Sequence, residues 1–291
     1  MKRNAILVIM LICLSLLGNT AFANVGYLGP AGTYTEEATI QFFGQGETIT
    51  PVSTVAESLA MLKSGKCEYA VVPIENTIGG PVYNYLDGVV ADDSFTVVGE
   101  VDLPIRQTLL ALPGATIPQI KTIMSHPQGI AQSKAWMKAN TPDATIVEVS
   151  STAEAAKKVA ESGDTSMAAI AASRTAEVYN LNILATDLQY TNTNVTRFWI
   201  VTLKAKHTSE GNKASILVNG SINSVVKLLC ELEKKGYAVQ SLHDRPLKTK
   251  MGEYQFVIEV VDHKQQNSLE NILARKDLQL QIRILGKFNS K

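Results

Sequence analysis

The sequence predicts an α/β protein in two parts: a layered α/β unit over 24–205 and a smaller βαββαβ, ferredoxin-like sandwich over 213–287. Three observations carry this. Short apolar runs alternate with helical patterns through the larger part. Four helix starts carry a hydroxyl residue followed by Glu or Gln at the capping-box spacing. A polar stretch, KAKHTSEGNK (204–213), then reads as a linker and separates this rhythm from a second one.

In the larger part, NVGYLG (24–29) reads as a strand and Pro30-Ala31-Gly32 as a turn. Thr33-x-x-Glu36 opens a helix through Phe43. Thr54-x-x-Glu57 opens a second helix, which stops at Gly65. YAVVPI (69–74) is a strand. IKTIM (120–124) is another, followed by a third box, Ser125-x-x-Gln128. Ser151-x-x-Glu154 opens AEAAKKVAESG. MAAIAA (167–172) is a strand and SRTAEVYNL (173–181) a helix. Repeated strand–cap–helix units predict largely parallel sheets. Such sheets bind ligands outside the carboxyl ends of their strands, where helix starts present free N–H groups and partial positive charge. The loops therefore suit a carboxylate or phosphate.

In the smaller part, ASILVNG (214–220) is a strand and SINSVVKLLCELEKKG (221–236) an amphipathic helix. YAVQSLHD (237–244) and EYQFVIEVV (253–261) are strands, NSLENILARK (267–276) a helix and LQLQIRIL (278–285) a strand.

The chain has 291 residues, 45% hydrophobic and 19% charged, with a formal net charge of +0. Bulk electrostatics give no reason to expect nucleic acid or an anionic membrane as partner. Lys2 and Arg3 precede an apolar run, Ala5 to Leu17, too short to span a bilayer. Ala21-Phe22-Ala23 has the form of a cleavage site. Residues 1–23 are thus expected to be a signal peptide, the mature chain starting at Asn24 in the periplasm or secreted, with no membrane attachment after cleavage. An uncleaved anchor is the alternative. Cys67 and Cys230 fall in different parts and are expected to stay unpaired. His126, His207, His243 and His263 are scattered without metal-ligand spacing, so no metal site is expected.

Four blocks then stand out. GYLGPAGTYTEEA (26–38), VVPIENTIGGPVYNYLD (71–87), SHPQGIAQS (125–133) and NVTRFWIV (194–201) resemble, in this order, the motifs of prephenate dehydratases that carry a C-terminal ACT domain. The resemblance covers nearly all of the mature chain. It implies a bilobal catalytic domain like the type II periplasmic binding proteins, with the active site in the cleft. One lobe would hold about 24–103 and 193–205, the other about 104–192. The chain would cross near 100–104 and return near 188–195.

The implied reaction converts prephenate into phenylpyruvate without metal or redox cofactor. Resemblance assigns Thr196 to assisting departure of the ring hydroxyl and Arg197 to a substrate carboxylate. Adjacent side chains on a regular strand face opposite ways. Both could reach one ligand only if Asn194–Arg197 is irregular and the ladder begins after it. Asn76, Thr77, Gly79, Gly80, Gln128, Asn194 and Phe198 are the candidate substrate-binding residues; Phe198 is also expected, with Trp199 and Val201, to pack the lobe. Glu75 is read as orienting its loop or as a simple ion pair, and His126 as structural. Some positions depart from the family pattern: Thr77 stands for serine, and Gly79, Arg106 and Tyr190 replace an acidic residue, a histidine and an aspartate. Both prephenate and arogenate stay open as substrates.

LHDRPLKTKMGEYQFVIEV (242–260) is similar to the ACT block that binds an amino acid. Leu242, Arg245 and Pro246 are the candidate regulatory residues, although His243-Asp244 departs from the usual Glu-Ser. The resemblance implies a homodimer or homotetramer, with phenylalanine as an allosteric ligand left open. Two other readings are open to the same sequence: a periplasmic solute-binding protein for a small carboxylate or amino acid, and an inactive amino-acid sensor.

Overall fold

Three sheets organise the chain. The computed structural model describes residues 23–207, 210–247, 249–251, 253–263 and 269–289. The expected signal peptide, apart from Ala23, lies outside the described residues.

The first sheet contains β1 (Asn24–Leu28), β2 (Thr48–Val52), β3 (Tyr69–Asn76), β4 (Gly80–Pro81), β5 (Phe95–Pro104) and β11 (Val195–Leu203). Its order is β2-β1-β3-β11-β5, with β4 on the end of β3. Helices α1 (Tyr34–Phe43), α2 (Val55–Lys63) and α3 (Tyr83–Val90) cover it. The second sheet, in the order β10-β6-β9-β7-β8, contains β6 (Thr108–Ala111), β7 (Thr122–Ser125), β8 (Thr145–Glu148), β9 (Met167–Ala171) and β10 (Asn182–Ala185). Around it lie α4 (Pro127–Asn140), α5 (Thr152–Ser162) and α6 (Arg174–Tyr179). Both sheets are mixed, which corrects the expectation of largely parallel ones. The β1–β2, β1–β3, β7–β8 and β7–β9 pairs are parallel. The strands that lead to and from the second sheet, β5 with β11, run antiparallel, as does β6 with both β10 and β9.

Among the described residues two backbone passages join these sheets. One leaves β5 at Pro104; the other returns into β11 at Val195, its register partner. Ile105 N–H donates to the Asn194 carbonyl at 2.8 Å, so outgoing and returning chains are bonded to each other at the crossing.

The third sheet, order β13-β14-β12-β15, is wholly antiparallel. It is built from β12 (Lys213–Gly220), β13 (Tyr237–Pro246), β14 (Tyr254–Asp262) and β15 (Gln281–Phe288). With α7 (Ile222–Lys234) and α8 (Leu269–Leu273) it makes the predicted βαββαβ order. One face buries Ile216, Val218, Leu228, Leu232 and Ile258 under the helices. The opposite face does not meet solvent. Leu217, Val257, Leu285 and Phe288 join the core of the first sheet around Trp199 and Val97. A Cβ on Gly286 would overlap the Val97 carbonyl, so the sheets approach as closely as glycine allows. The polar stretch read as a linker ends sooner than expected: Lys213 is the first residue of β12 and fully buried.

Candidate active site

Between the first two sheets lies a cavity of about 370 Å³. Three helix starts border it. Thr33 caps α1 by accepting from Glu36 N–H, His126 caps α4 through Nδ1, and Ser151 caps α5 by accepting from Glu154 N–H. Each start turns free backbone N–H groups and partial positive charge toward the space. Among the described residues no Asp, Glu, Lys or Arg lines it. An anion there meets helix ends and neutral donors rather than a side-chain cation. Three of the four predicted caps hold. The third does not: Ser125 is buried and donates to the Ile170 carbonyl, and His126 takes the capping place.

Asn76, the last residue of β3, organises the floor. Its Nδ2 lies 2.7 Å from Asn194 Oδ1 and 2.9 Å from Thr196 Oγ1. Its Oδ1 accepts from the N–H groups of Ile78 and Gly79, at 3.0 and 2.9 Å, and from Gln128 Nε2 at 3.4 Å. The amide thus ties β3, the turn after it, β11 and α4 to one point. Thr196 Oγ1 accepts from Asn76 and makes no other hydrogen bond among the described residues, which leaves its proton for the cavity it lines. Asn194 Nδ2 is buried and unpartnered beside the same cavity. An orphaned buried donor is costly and points to a ligand acceptor.

The turn after Asn76 has two glycines with different duties. Gly80 has φ +73°, a conformation that disfavours side chains. Gly79 is not so twisted, but a Cβ there would stand 3.3 Å from Gln128 Nε2. Gln128 lines the cavity as expected.

Thr77, Phe198 and Arg197 are placed differently from expectation. The Thr77 hydroxyl donates to the Thr193 carbonyl at 2.7 Å and accepts from Val195 N–H at 3.0 Å, so it braces the crossing. Phe198 is 1% exposed and packs with Val25, Tyr27, Val71 and Ile200, outside the cavity lining. Strand β11 is paired from Val195: Thr196 pairs with Asn76 and Leu103, and Arg197 with Glu75 and Asp102. Against β3 the irregularity falls one step later, where Arg197 opposes Glu75 but Phe198 opposes Pro73. A bulge suits that strand because Pro73 has no N–H to give to the ladder.

Alternation therefore sends Arg197 away from the cavity, toward the third sheet. Its guanidinium holds Asp102 at 2.8 and 2.9 Å and Glu259 at 2.9 Å. Lys213 reaches Glu100 at 2.6 Å and Glu259 at 3.2 Å. Glu259, 1% exposed, also accepts from Trp199 Nε1 at 3.0 Å. Burial pushes its carboxyl up, but Lys213 and Arg197 outweigh burial and hold it below the usual range. Burial dominates at Glu100, which stays raised. Glu75 is 4.0 Å from Arg197 and 3.6 Å from His243, which matches its ion-pair reading.

Sequence reasoning missed Tyr34, Gln107, Gln132 and Thr152 in the lining. Tyr34 donates to the Arg106 carbonyl at 2.7 Å across the cleft, and burial pushes its phenol up, which keeps it a donor. Its sequence signals are position N1 of a capped helix and its place in the block 26–38. Farther out, Thr175 and Tyr179 of α6 donate to the Gly32 and Ala31 carbonyls at 2.8 and 3.0 Å, drawing the second sheet's unit onto the β1–α1 turn.

Of the candidate regulatory residues, Leu242 is exposed on edge strand β13 and Pro246 ends that strand. Arg245 is engaged within the chain: its Nε donates to Asp87 of α3 at 2.7 Å, and its guanidinium lies 4.2 Å from the Tyr83 ring centroid. Cys67 is buried, Cys230 is exposed, and neither is bonded to the other.

Residues 25–206 match the family model described as prephenate dehydratase. The chain is 31% identical over 273 residues to the prephenate dehydratase of Lactococcus lactis subsp. lactis, covering 91% of this chain and 96% of the relative. The structure is similar to that of prephenate dehydratase from Arthrobacter aurescens in complex with L-Phe. There the TM-score is 0.80 and the identity 29%, over 91% of this chain and 89% of the other. It is also similar to GqqA, described as a novel type of quorum quenching acylase, with TM-score 0.81 and 25% identity over 92% and 98%. By the span of the family match and the length of the shared sequence, the chain belongs to the prephenate dehydratase family.

Proposed function

We infer that the chain catalyses the decarboxylative dehydration of prephenate to phenylpyruvate, a step of phenylalanine biosynthesis, and so acts as a carbon–oxygen lyase. The observation that carries this is the Asn76–Thr196 hydrogen bond at the floor of a cavity bordered by three helix starts. Prephenate bears two carboxylates and a ring hydroxyl opposite one of them. As the ring carboxylate leaves as carbon dioxide, its bonding pair enters the ring and the far carbon–oxygen bond breaks. The departing hydroxide needs a proton. Thr196 is a weak acid, so it donates a hydrogen bond to the departing oxygen and relays the proton from solvent. Helix starts at Thr33, His126 and Ser151 hold carboxylate charge, and the orphaned Asn194 Nδ2 supplies a further donor.

The similarity to GqqA raises acyl hydrolysis as a second reading. Such a reaction requires an activated nucleophile. Among the described residues no serine or threonine hydroxyl in the cavity is bonded to a histidine, and His126 Nδ1 is occupied by Gln128 N–H, which favours the lyase reading.

The third sheet with α7 and α8 is proposed to be an ACT-type regulatory domain. Its exposed Ile222, Val226, Val239 and Leu242 suit contact with a second copy, giving a homodimer or a homotetramer. The L-Phe complex of the Arthrobacter protein supports phenylalanine as the regulatory ligand. The arrangement Lys2-Arg3, Ala5–Leu17 and Ala21-Phe22-Ala23 supports export to the periplasm or beyond. Incubation of the protein beginning at Asn24 with prephenate, arogenate and an N-acylated amine in parallel tests the reading. Phenylpyruvate from prephenate is the expected result; hydrolysis of the acylated amine alone would replace it.

A further inference from the structure

The polar cluster on the back of β11 has no place in the chemistry above, yet it adjoins the reacting hydroxyl by one peptide unit. Thr196 faces the cavity and Arg197 faces the third sheet. Arg197 bonds Glu259 of β14 at 2.9 Å and Asp102 of β5 at 2.8 and 2.9 Å. Glu259 gathers Lys213 of β12 at 3.2 Å and Trp199 Nε1 at 3.0 Å. Ser215 and Ser241 donate to it at 3.2 and 3.1 Å. This carboxylate is therefore held from five residues on three strands, and two of the five, Arg197 and Trp199, belong to β11 itself.

We propose that Glu259 is a positioning residue for the dehydratase reaction: through Arg197 and Trp199 it fixes the first turn of the β11 ladder, and so the place of the Thr196 hydroxyl. The third sheet is then a back wall of the active site as well as a neighbouring domain. A rigid strand end with its neighbours fixed on both sides holds the hydroxyl within the tolerance that catalysis demands. On the front, Asn76 fixes Thr196; on the back, the Arg197–Glu259–Trp199 group bonds the adjoining residues of β11 to the third sheet. Without the Glu259 charge, Arg197 keeps Asp102 on the solvent side and loses its charged tie to β14.

The proposal rests on the reaction inferred above, and its test separates the two. Glu259→Gln keeps the size and the Trp199 bond but removes the charge. The expected result is a kcat about tenfold lower with KM within about twofold, measured on prephenate well below the melting temperature. Faster backbone hydrogen exchange over 194–198, with exchange over 69–73 unchanged, is expected in the same variant. Asp102→Asn, at a half-exposed side chain, keeps the fold intact if Glu259→Gln does not, and should show the same split at smaller size. Combined with Arg197→Lys, Glu259→Gln should fall no further than the worse single variant, as for residues acting through one another. Unchanged kcat and unchanged exchange at 194–198 would overturn the assignment. If the unaltered protein leaves prephenate untouched, the reaction is wrong, and the exchange experiment still decides the role of Glu259.

Discussion

Asn76 Nδ2 stands 2.9 Å from Thr196 Oγ1, the two residues facing each other as register partners across β3 and β11. The relationship makes the threonine hydroxyl an acceptor toward its own fold and a donor toward the cleft. A hydroxyl left to rotate would share its proton among neighbours; this one is aimed.

Asn76→Ala should lower kcat on the order of a hundredfold, the usual loss for one preorganised donor at a reacting centre. It should also cost about 1–3 kcal/mol of stability, because the N–H groups of Ile78 and Gly79 lose their acceptor. Steady-state kinetics on prephenate with denaturant melts separate the two effects.

The glycines of the turn should part in their behaviour. Gly79→Ala pushes on Gln128 Nε2 from 3.3 Å, at the end of a flexible side chain. It should reduce kcat/KM while leaving stability within about 0.5 kcal/mol. Gly80→Ala meets open space but keeps φ +73°, so it should cost about 1–2 kcal/mol with milder kinetic effects. Thermal melts and kinetics on both variants check this contrast.

Arg197→Met leaves Glu259 buried with one cation fewer and should cost about 3–5 kcal/mol, the typical loss when one partner of a buried pair is removed. KM should hardly change, since the side chain lies outside the cavity. A raised KM with full stability would return Arg197 to the substrate.

Acid should act partly through Glu259. Burial raises its carboxyl, but Lys213 and Arg197 outweigh burial and leave it lowered in the folded protein. A lowered carboxylate contributes stability present above its unfolded value of about 4.3 and lost as pH falls through the folded value. Glu100, raised by burial, has the opposite sign and gains in folding as pH falls. Melting temperature followed downward from pH 5 should therefore fall less steeply in Glu259→Gln than in the unaltered protein.

Much of this was legible in the sequence because it is local. The caps at Thr33, Thr54 and Ser151, the βαββαβ order and the cleft residues Asn76, Gln128, Asn194 and Thr196 follow from spacing and motif. What escaped depends on which strand lies across from which. The motif points Arg197 at the cleft; the pairing of Thr196 and Arg197 on both sides of β11 sends it to the far side. His126 displaced Ser125 as a cap because β7 runs one residue farther than its apolar run suggests, burying Ser125 against β9. Lys213 looked like linker because its carboxylate partners, Glu100 and Glu259, lie far away along the chain.

The central claim is that the Thr196 hydroxyl assists departure of the ring oxygen. Its most direct test is phenylpyruvate formation from prephenate by Thr196→Ala and Thr196→Ser beside the unaltered protein. The account predicts a loss of about a hundredfold or more in kcat for alanine, with the fold intact, and substantial activity for serine. An alanine variant that turns over as fast as the unaltered protein would contradict it.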